Sequence, residues 1–123
     1  MKHILVVEDN AAMATVIQFN LEKAGFHVSV ARNGRVALDL AQEAEFDLVI
    51  TDHQMPEMTG CELCERLRGI REYAHVPILL LTAKGLELDL PKFEQEFGVA
   101  MTFHKPFSPA EVVQAVEDYL APV

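Results

Sequence analysis

The hydrophobic period of the chain, which switches repeatedly between short apolar runs and helical stripes, is the feature that most constrains its fold. Ile4–Val7 is a continuous run of apolar residues, which is typical of a strand buried on both faces. A stripe with spacings of three and four follows, and Gly25 stands where a left-handed helix cap would need a glycine. The same alternation recurs to the end of the chain, so we expect strands and helices to follow one another.

Five strand-like segments alternate with five helical segments. Strands are predicted at 4–7, 27–31, 48–50, 78–81 and 101–103. Helical stripes are predicted around 13–24, 36–44 and 63–70. A short helix is predicted from Pro91 to Phe97, and Gly98 ends it. The last helix is predicted to run from the capping box Ser108-Pro109-Ala110-Glu111 to about Leu120. This pattern predicts an α/β fold, a doubly wound parallel sheet with helices on both faces. Ligands of such sheets bind outside the carboxyl ends of the strands.

Length and charge bound the class of protein. A chain of 123 residues suits one domain, which we expect to cover residues 1–123. The net charge of −9 argues against nucleic acid or an anionic membrane as the partner. The first apolar run is too short for a signal peptide, and no later run approaches a membrane span. These features, with only two cysteines, predict a soluble cytoplasmic protein.

Charged and polar residues follow four of the predicted strands. Glu8 and Asp9 follow the first, Asp52 the third, Thr82 the fourth and Lys105 the fifth. Three clustered carboxylates repel one another more than one lysine offsets, whereas Mg²⁺ takes such carboxylates together with a phosphate oxygen. Lys105 and Thr82 supply the donors that an anionic phosphoryl group needs. Asp52 is then the natural nucleophile, because a carboxylate can form an aspartyl-phosphate.

Other ligands of this type of sheet fit less well. No G-x-G-x-x-G follows the first strand, which argues against a dinucleotide. The acidic residues that stand there would also repel a flavin phosphate. A phosphatase with an aspartate nucleophile would have that nucleophile at the end of the first strand and a second aspartate two residues later, where this chain has Glu8 and Asn10.

Four short motifs in the expected order carry a resemblance to a known family. They are Val6-Val7-Glu8-Asp9, the D-x-x-M-P-x-M-x-G of Asp52 to Gly60, Leu81-Thr82-Ala83 and Lys105-Pro106-Phe107. Over its whole length the chain resembles the receiver domains of two-component response regulators. The resemblance implies a flavodoxin-like sheet with strand order 2-1-3-4-5.

The resemblance also implies a role for each matching residue at the site. Asp52 would be the phosphoacceptor, Lys105 would pair with the phosphoryl oxygens, and Thr82 would hydrogen-bond to one of them. The Lys105–Pro106 bond is a candidate cis peptide on the same basis.

A metal site is implied as well. Asp9 would bind Mg²⁺ directly, Glu8 mostly through water, and Asp52 and the backbone carbonyl of Gln54 would complete the protein ligands. Mn²⁺ is a plausible substitute for Mg²⁺.

By this resemblance, the chain is expected to be a stand-alone receiver that takes a phosphoryl group from a phosphohistidine on a sensor histidine kinase or a histidine phosphotransfer protein. It would dock to a downstream protein according to its state, and would not turn over a free substrate. Two alternatives stay open: a Mg²⁺-dependent phosphohydrolase with the same aspartate nucleophile, and a constitutive docking module that is never phosphorylated.

The chain departs from the family pattern at two places. Thr102 stands three residues before Lys105, where the family commonly has an aromatic residue that swings inward. We therefore expect the activated state to be read through the loop after Thr82 and the final helical face, without an aromatic rotamer switch. The segment 84–91 is one residue longer than expected, and Pro91 predicts a shortened fourth helix and a mobile loop.

Several cysteine, histidine, polar and leucine residues belong to types that often have catalytic, metal-binding or partner-binding roles. Cys61 and Cys64 form a C-x-x-C inside a predicted helix, which indicates core or surface thiols rather than a redox pair or a zinc site. His53 and His104 neighbour site residues, but strand alternation turns neighbours to opposite faces. Lys84 and Gln54 match positions that tune phosphate lifetime in the family. A cluster of leucines forms either a partner patch or a cover for the sheet: Leu86, Leu88 and Leu90.

Overall fold

Strands and helices alternate along the computed structural model, which describes residues 1–83 and 90–121. The strands are β1 His3–Val7, β2 His27–Ala31, β3 Leu48–Asp52, β4 Ile78–Ala83 and β5 Met101–Lys105. The helices are α1 Ala11–Lys23, α2 Gly34–Glu43, α3 Gly60–Arg68, α4 Leu90–Phe97 and α5 Pro109–Leu120, with a 3₁₀ turn at Arg71–Tyr73. The predicted order of elements is confirmed.

The strands form one parallel sheet of order β2-β1-β3-β4-β5, as predicted. Val7 pairs with both Ala31 and Thr51, and Asp52 pairs with Leu81. Ala83 pairs with Lys105 at the far end of β4. The carboxyl ends of the strands therefore meet at one edge, where the predicted site residues follow them.

Each face of the sheet has its own hydrophobic layer. Leu5 and Val7 belong to the layer under α2, α3 and α4, whereas Ile4 and Val6 belong to the layer under α1 and α5. Successive residues of a strand point to opposite faces, so a run that is apolar at every position serves both layers. Burying each such side chain contributes roughly 1.5–3 kcal/mol.

Polar side chains cap the N-termini of the helices that follow β1 and β3. Asn10 Oδ1 accepts from the amide of Met13 at the start of α1. Thr59 and Glu62 form a reciprocal capping box at the start of α3. Such caps satisfy amides that have no partner inside the helix, and each contributes about 1 kcal/mol.

The capping box predicted at the start of α5 is only half right. Ser108 is the N-cap, but its hydroxyl accepts from the amide of Ala110 rather than that of Glu111. The Glu111 amide instead donates to the backbone oxygen of Ser108 at 3.0 Å, which leaves no reciprocal pair.

Glycine ends two helices, as predicted. Gly25 has φ of +100°, its amide donates to Glu22 and the next amide, that of Phe26, donates to Leu21. These two bonds are those of a Schellman motif. Gly98 has φ of +64° and ends α4, which is short as Pro91 predicted.

None of the helices in residues 1–83 and 90–121 combines the length and the hydropathy needed to cross a bilayer.

Candidate functional site

Three carboxylates meet at the edge where the strands end. One carboxylate oxygen from each of Glu8, Asp9 and Asp52 lies within 4.8 Å of the other two. The exposed fraction is only 2% for Glu8 and 1% for Asp52, whereas Asp9 is exposed. Glu8 is held there because its amide continues the sheet, donating to the backbone oxygen of Ala31 at 3.0 Å.

Lys105 approaches this cluster from the end of β5. Its Nζ lies 2.7 Å from Oδ1 of Asp52 and 3.6 Å from Oε1 of Glu8. Burial acts against the ammonium charge, but attraction to the two carboxylates outweighs it and raises the pKa of Lys105. Lys105 is therefore a cation across the physiological pH range.

One lysine does not neutralise the cluster. Burial, followed by repulsion from Asp52, raises the pKa of Glu8 to about 7, against the lowering effects of the Asn10 amide and Lys105. The Asn10 amide donates to Oε2 of Glu8 at 3.2 Å. The site thus holds more negative charge than its own donors stabilise.

The residues present fit a hard divalent cation. Glu8 Oε1 and Asp52 Oδ1 are buried oxygens that share one cation among the described residues, the Lys105 ammonium at 3.6 Å and 2.7 Å respectively. Oxygen ligands of this kind, with an exposed Asp9 open to water, are those that Mg²⁺ takes. The chemistry of the donor set therefore agrees with a magnesium site.

The side chain of Gln54, at a position that the resemblance associates with phosphate lifetime, bonds to the end of β4. Its Nε2 donates to the hydroxyl of buried Thr82 at 3.0 Å, and its Oε1 accepts from the amide of Ala83, also at 3.0 Å. The sequence indicated a metal contact from its backbone carbonyl, which stays a prediction.

The loop between β3 and α3 explains the D-x-x-M-P-x-M-x-G spacing. A Cβ at Gly60 would collide with the backbone oxygen of Asp52 and would lie 2.8 Å from Cα of His53. The Gly60 amide donates to the backbone oxygen of His53 at 3.0 Å, which closes the loop. Glu57 turns the chain with φ of +69°, a left-handed conformation that is uncommon for a residue other than glycine.

Two positions singled out in the sequence, the Lys105–Pro106 bond and Thr102, lie at the end of β5 and within it. The peptide bond between Lys105 and Pro106 is cis. Thr102 is half-buried, and its hydroxyl donates to Oε2 of Glu94 in α4 at 3.0 Å.

The group of potential metal ligands found in the described part of the chain contains neither cysteine nor histidine. Burial raises the pKa of Cys61 to about 11 and that of Cys64 to about 12, so both are protonated thiols at neutral pH. His104 is exposed, and His53 has a buried Nδ1 without a hydrogen-bond partner in the described chain. Burial lowers the pKa of His53, and this effect outweighs the attraction of Asp52 and Glu62 for the charged ring.

The remaining predictions concern the segment after β4. Lys84, Leu86 and Leu88 lie outside the described residues, and so does the side chain of Leu90.

Comparison with known proteins identifies relatives of the same domain type. The model of the response regulator receiver domain matches residues 4–117. The alkaline phosphatase synthesis transcriptional regulatory protein PhoP of Bacillus subtilis is 40% identical over 119 residues, which are 97% of this chain and 48% of PhoP. The probable transcriptional regulator ycf29 of Porphyra purpurea is 37% identical over 96% of this chain and 56% of its own length. The chain thus spans about half the length of these curated relatives.

Solved structures agree with this assignment. The chemotaxis protein CheY4 of Vibrio cholerae superposes with a TM-score of 0.89 at 32% identity, over 98% of this chain and 99% of CheY4. The signal receiver domain of a histidine kinase from Syntrophus aciditrophicus superposes with a TM-score of 0.84 at 30% identity, over 100% of this chain and 95% of that one. The parallel sheet, the acidic edge and these matches together show that the chain belongs to the response regulator receiver domain family.

Proposed function

We propose that the chain accepts a phosphoryl group on Asp52 from a phosphohistidine of a sensor histidine kinase or a histidine phosphotransfer protein. The observation that carries the proposal is the buried Asp52 carboxylate, which shares its crevice with two further carboxylates and touches the Lys105 ammonium at 2.7 Å. A carboxylate held in this way has a cation beside it where phosphoryl charge would be placed. The proposal treats residues 1–123 as one receiver domain.

In the transfer step, a carboxylate oxygen of Asp52 attacks phosphorus. A phosphorus–oxygen bond forms while the phosphorus–nitrogen bond breaks, and its electron pair returns to the imidazole nitrogen of the donor. The Lys105 ammonium and the Thr82 hydroxyl then donate to the oxygens of the aspartyl-phosphate. The buried setting of Asp52 keeps this arrangement fixed before the donor arrives.

Asp9, Asp52 and the backbone carbonyl of Gln54 would hold Mg²⁺, or Mn²⁺ in its place, with Glu8 acting through water. The ion would supply positive charge that offsets the repulsion among these carboxylates and the charge of the phosphoryl group. The close approach of three carboxylates, which share the single Lys105 ammonium among the described residues, supports this assignment.

The phosphorylated state is proposed to act by docking to a downstream protein, without turnover of a free substrate. The proposal places the domain in the cytoplasm, with neither nucleic acid nor membrane as a partner of this acidic surface. The net charge of −9 supports the exclusion of polyanionic partners.

Incubation with Mg²⁺ and acetyl phosphate, followed by intact-mass measurement, tests the proposal. We expect one phosphate adduct on the wild type and none on Asp52→Asn. Asp39→Asn, at an exposed aspartate of α2, should keep the adduct. An unlabelled wild type would contradict the proposal and favour a constitutive docking module. Repeated turnover of small phosphomonoesters would favour a phosphohydrolase instead.

A further inference from the structure

The carboxamide of Gln54 holds two neighbouring groups at the end of β4 at the same time. Its Nε2 donates to the Thr82 hydroxyl and its Oε1 accepts from the Ala83 amide, both at 3.0 Å. Because one carboxamide bonds to both residues, the Thr82 hydroxyl and the Ala83 amide must point toward the same place beside the end of β4. The Ala83 amide lies beyond the last sheet pair between β3 and β4, which joins Asp52 to Leu81, so it is available to a side chain.

This point lies next to the proposed phosphoacceptor. In the sheet β4 stands between β3 and β5, yet Lys105 of β5 touches Asp52 of β3 at 2.7 Å. The contact therefore crosses the end of β4, where Ala83 is paired with Lys105. Neighbouring strands are about 4.8 Å apart, so the groups that Gln54 holds border the crevice of Asp52.

A phosphoryl group on Asp52 needs donors in this crevice. It carries close to two negative charges and three strongly accepting oxygens. Among the described residues, groups that can donate beside this crevice include the Lys105 ammonium, the Thr82 hydroxyl and the Ala83 amide. The Ala83 amide already donates to Gln54 Oε1, whereas the Thr82 hydroxyl accepts from Gln54 Nε2 and keeps its own proton to donate.

We infer that the Gln54 side chain is an internal competitor of the phosphoryl group, which must displace the Gln54 carboxamide oxygen from the Ala83 amide. Gln54 is thus a positioning residue that favours the unphosphorylated state. This inference rests on the proposed function, since it concerns the same phosphoryl group. The exchange is favourable because the Ala83 amide would give up the neutral Gln54 oxygen for a charged phosphoryl oxygen, and charge-assisted hydrogen bonds are the stronger ones.

The test uses beryllium trifluoride with Mg²⁺, a phosphoryl mimic that binds reversibly and is not hydrolysed. Gln54→Met keeps the length of the side chain and removes both hydrogen bonds. We expect the mimic to bind this variant about 3- to 10-fold more tightly than the wild type, which corresponds to the loss of a competing bond of ordinary strength. Gln42→Met, at an exposed glutamine of α2, should bind as the wild type does.

A second measurement on the wild type needs no variant. In ¹H–¹⁵N spectra, saturation with the mimic should move the Gln54 carboxamide signals toward those of a solvated amide and shift the Ala83 amide signal. A merely structural role for Gln54 would leave its carboxamide signals where they are, and that result would overturn the inference. Equal or weaker binding by folded Gln54→Met would also overturn it. A wild type that binds no mimic contradicts the proposed function itself.

Discussion

The hydroxyl of Thr102 in β5 donates a 3.0 Å hydrogen bond to Oε2 of Glu94 in α4. The family commonly places a swinging aromatic side chain at this position, and here a short polar side chain is tied to a helix. The neighbouring aromatic residue, Phe103, is already buried in the layer under α1 and α5. Structures with and without a phosphoryl mimic should therefore show no aromatic side chain moving inward beside Thr82.

Thr102→Val preserves the shape of the side chain and removes its donor. We expect the free energy of unfolding to fall by about 0.5–1.5 kcal/mol, the net value of one such hydrogen bond. Urea denaturation measures it. Thr15→Val is the matched control, because the Thr15 hydroxyl donates to the backbone oxygen of Ala11, one turn earlier in its own helix. Equal effects of the two substitutions would argue against a tether between β5 and α4.

Gly60 and Gly69 lie at opposite ends of α3 and should respond oppositely to alanine. A Cβ at Gly60 meets backbone of Asp52 and His53, which cannot move aside, so Gly60→Ala should cost about 2–4 kcal/mol. A Cβ at Gly69 meets nothing closer than 3.4 Å, and Gly69 has an ordinary φ of −79°, so Gly69→Ala should be neutral or stabilise by up to about 1 kcal/mol. Thermal denaturation of both variants checks this prediction, which fails if they behave alike.

The hydrophobic period predicted five strands in a parallel sheet, whereas the order of the strands came from the family resemblance, and the period ended some strands too early. The third strand was predicted to end at Ile50, whereas β3 continues through Thr51 and Asp52, both buried. Polar residues buried at a functional edge carry no hydrophobic signal. The strand-end rule still located Glu8, Asp9, Asp52 and Lys105 together, because it depends on topology and not on hydrophobicity.

Side chains that act across the fold could not be predicted in this way. The reach of Gln54 to Thr82 and Ala83 depends on the distance between two loops that the sequence does not specify. The capping box illustrates a second limit, since Ser108 to Glu111 and Thr59 to Glu62 have the same spacing and only the latter pair closes.

Arg68 is a second side chain whose contacts across the fold the sequence did not indicate. Its guanidinium donates to backbone oxygens over 2.7–3.0 Å and thereby ties the end of α3 to the end of α4 and to the turn before β4. The acceptors are the carbonyl oxygens of Tyr73, Val76, Phe97 and Gly98. Burial lowers the pKa of Arg68, which remains charged.

Arg68→Met should reduce the free energy of unfolding by about 2–4 kcal/mol, because several carbonyls lose a charged donor. Arg68→Lys should recover only part of the loss, since an ammonium group cannot reproduce the planar fork. Arg66→Met, at an exposed position of the same helix, is the control and should change stability by less than about 0.5 kcal/mol. Chemical denaturation that gives the same loss at both arginines would contradict the assigned role.

The raised pKa of Glu8 predicts a particular dependence of stability on pH. Burial and the neighbouring Asp52 raise that pKa from 4.5 to about 7, so between these values the folded chain holds a proton that the unfolded chain has released. By linkage, this site stabilises the fold fully below about pH 4.5, and the stabilisation is lost as the pH rises through 7. In EDTA, the Tm of the wild type should therefore fall relative to that of Glu8→Gln between pH 5 and 7.5.

Mg²⁺ should act in the opposite direction, because it favours the ionised carboxylates of the cluster. We expect the Mg²⁺-induced rise in Tm to be larger at pH 7.5 than at pH 5.5, by a few degrees, in the wild type. Glu22→Gln, at an exposed glutamate of α1, should retain both pH responses. Two results would show that Glu8 is ionised without the metal. One is a Mg²⁺-induced rise in Tm that is the same at both pH values. The other is a fall of Tm with pH in EDTA that is as steep in Glu8→Gln as in the wild type.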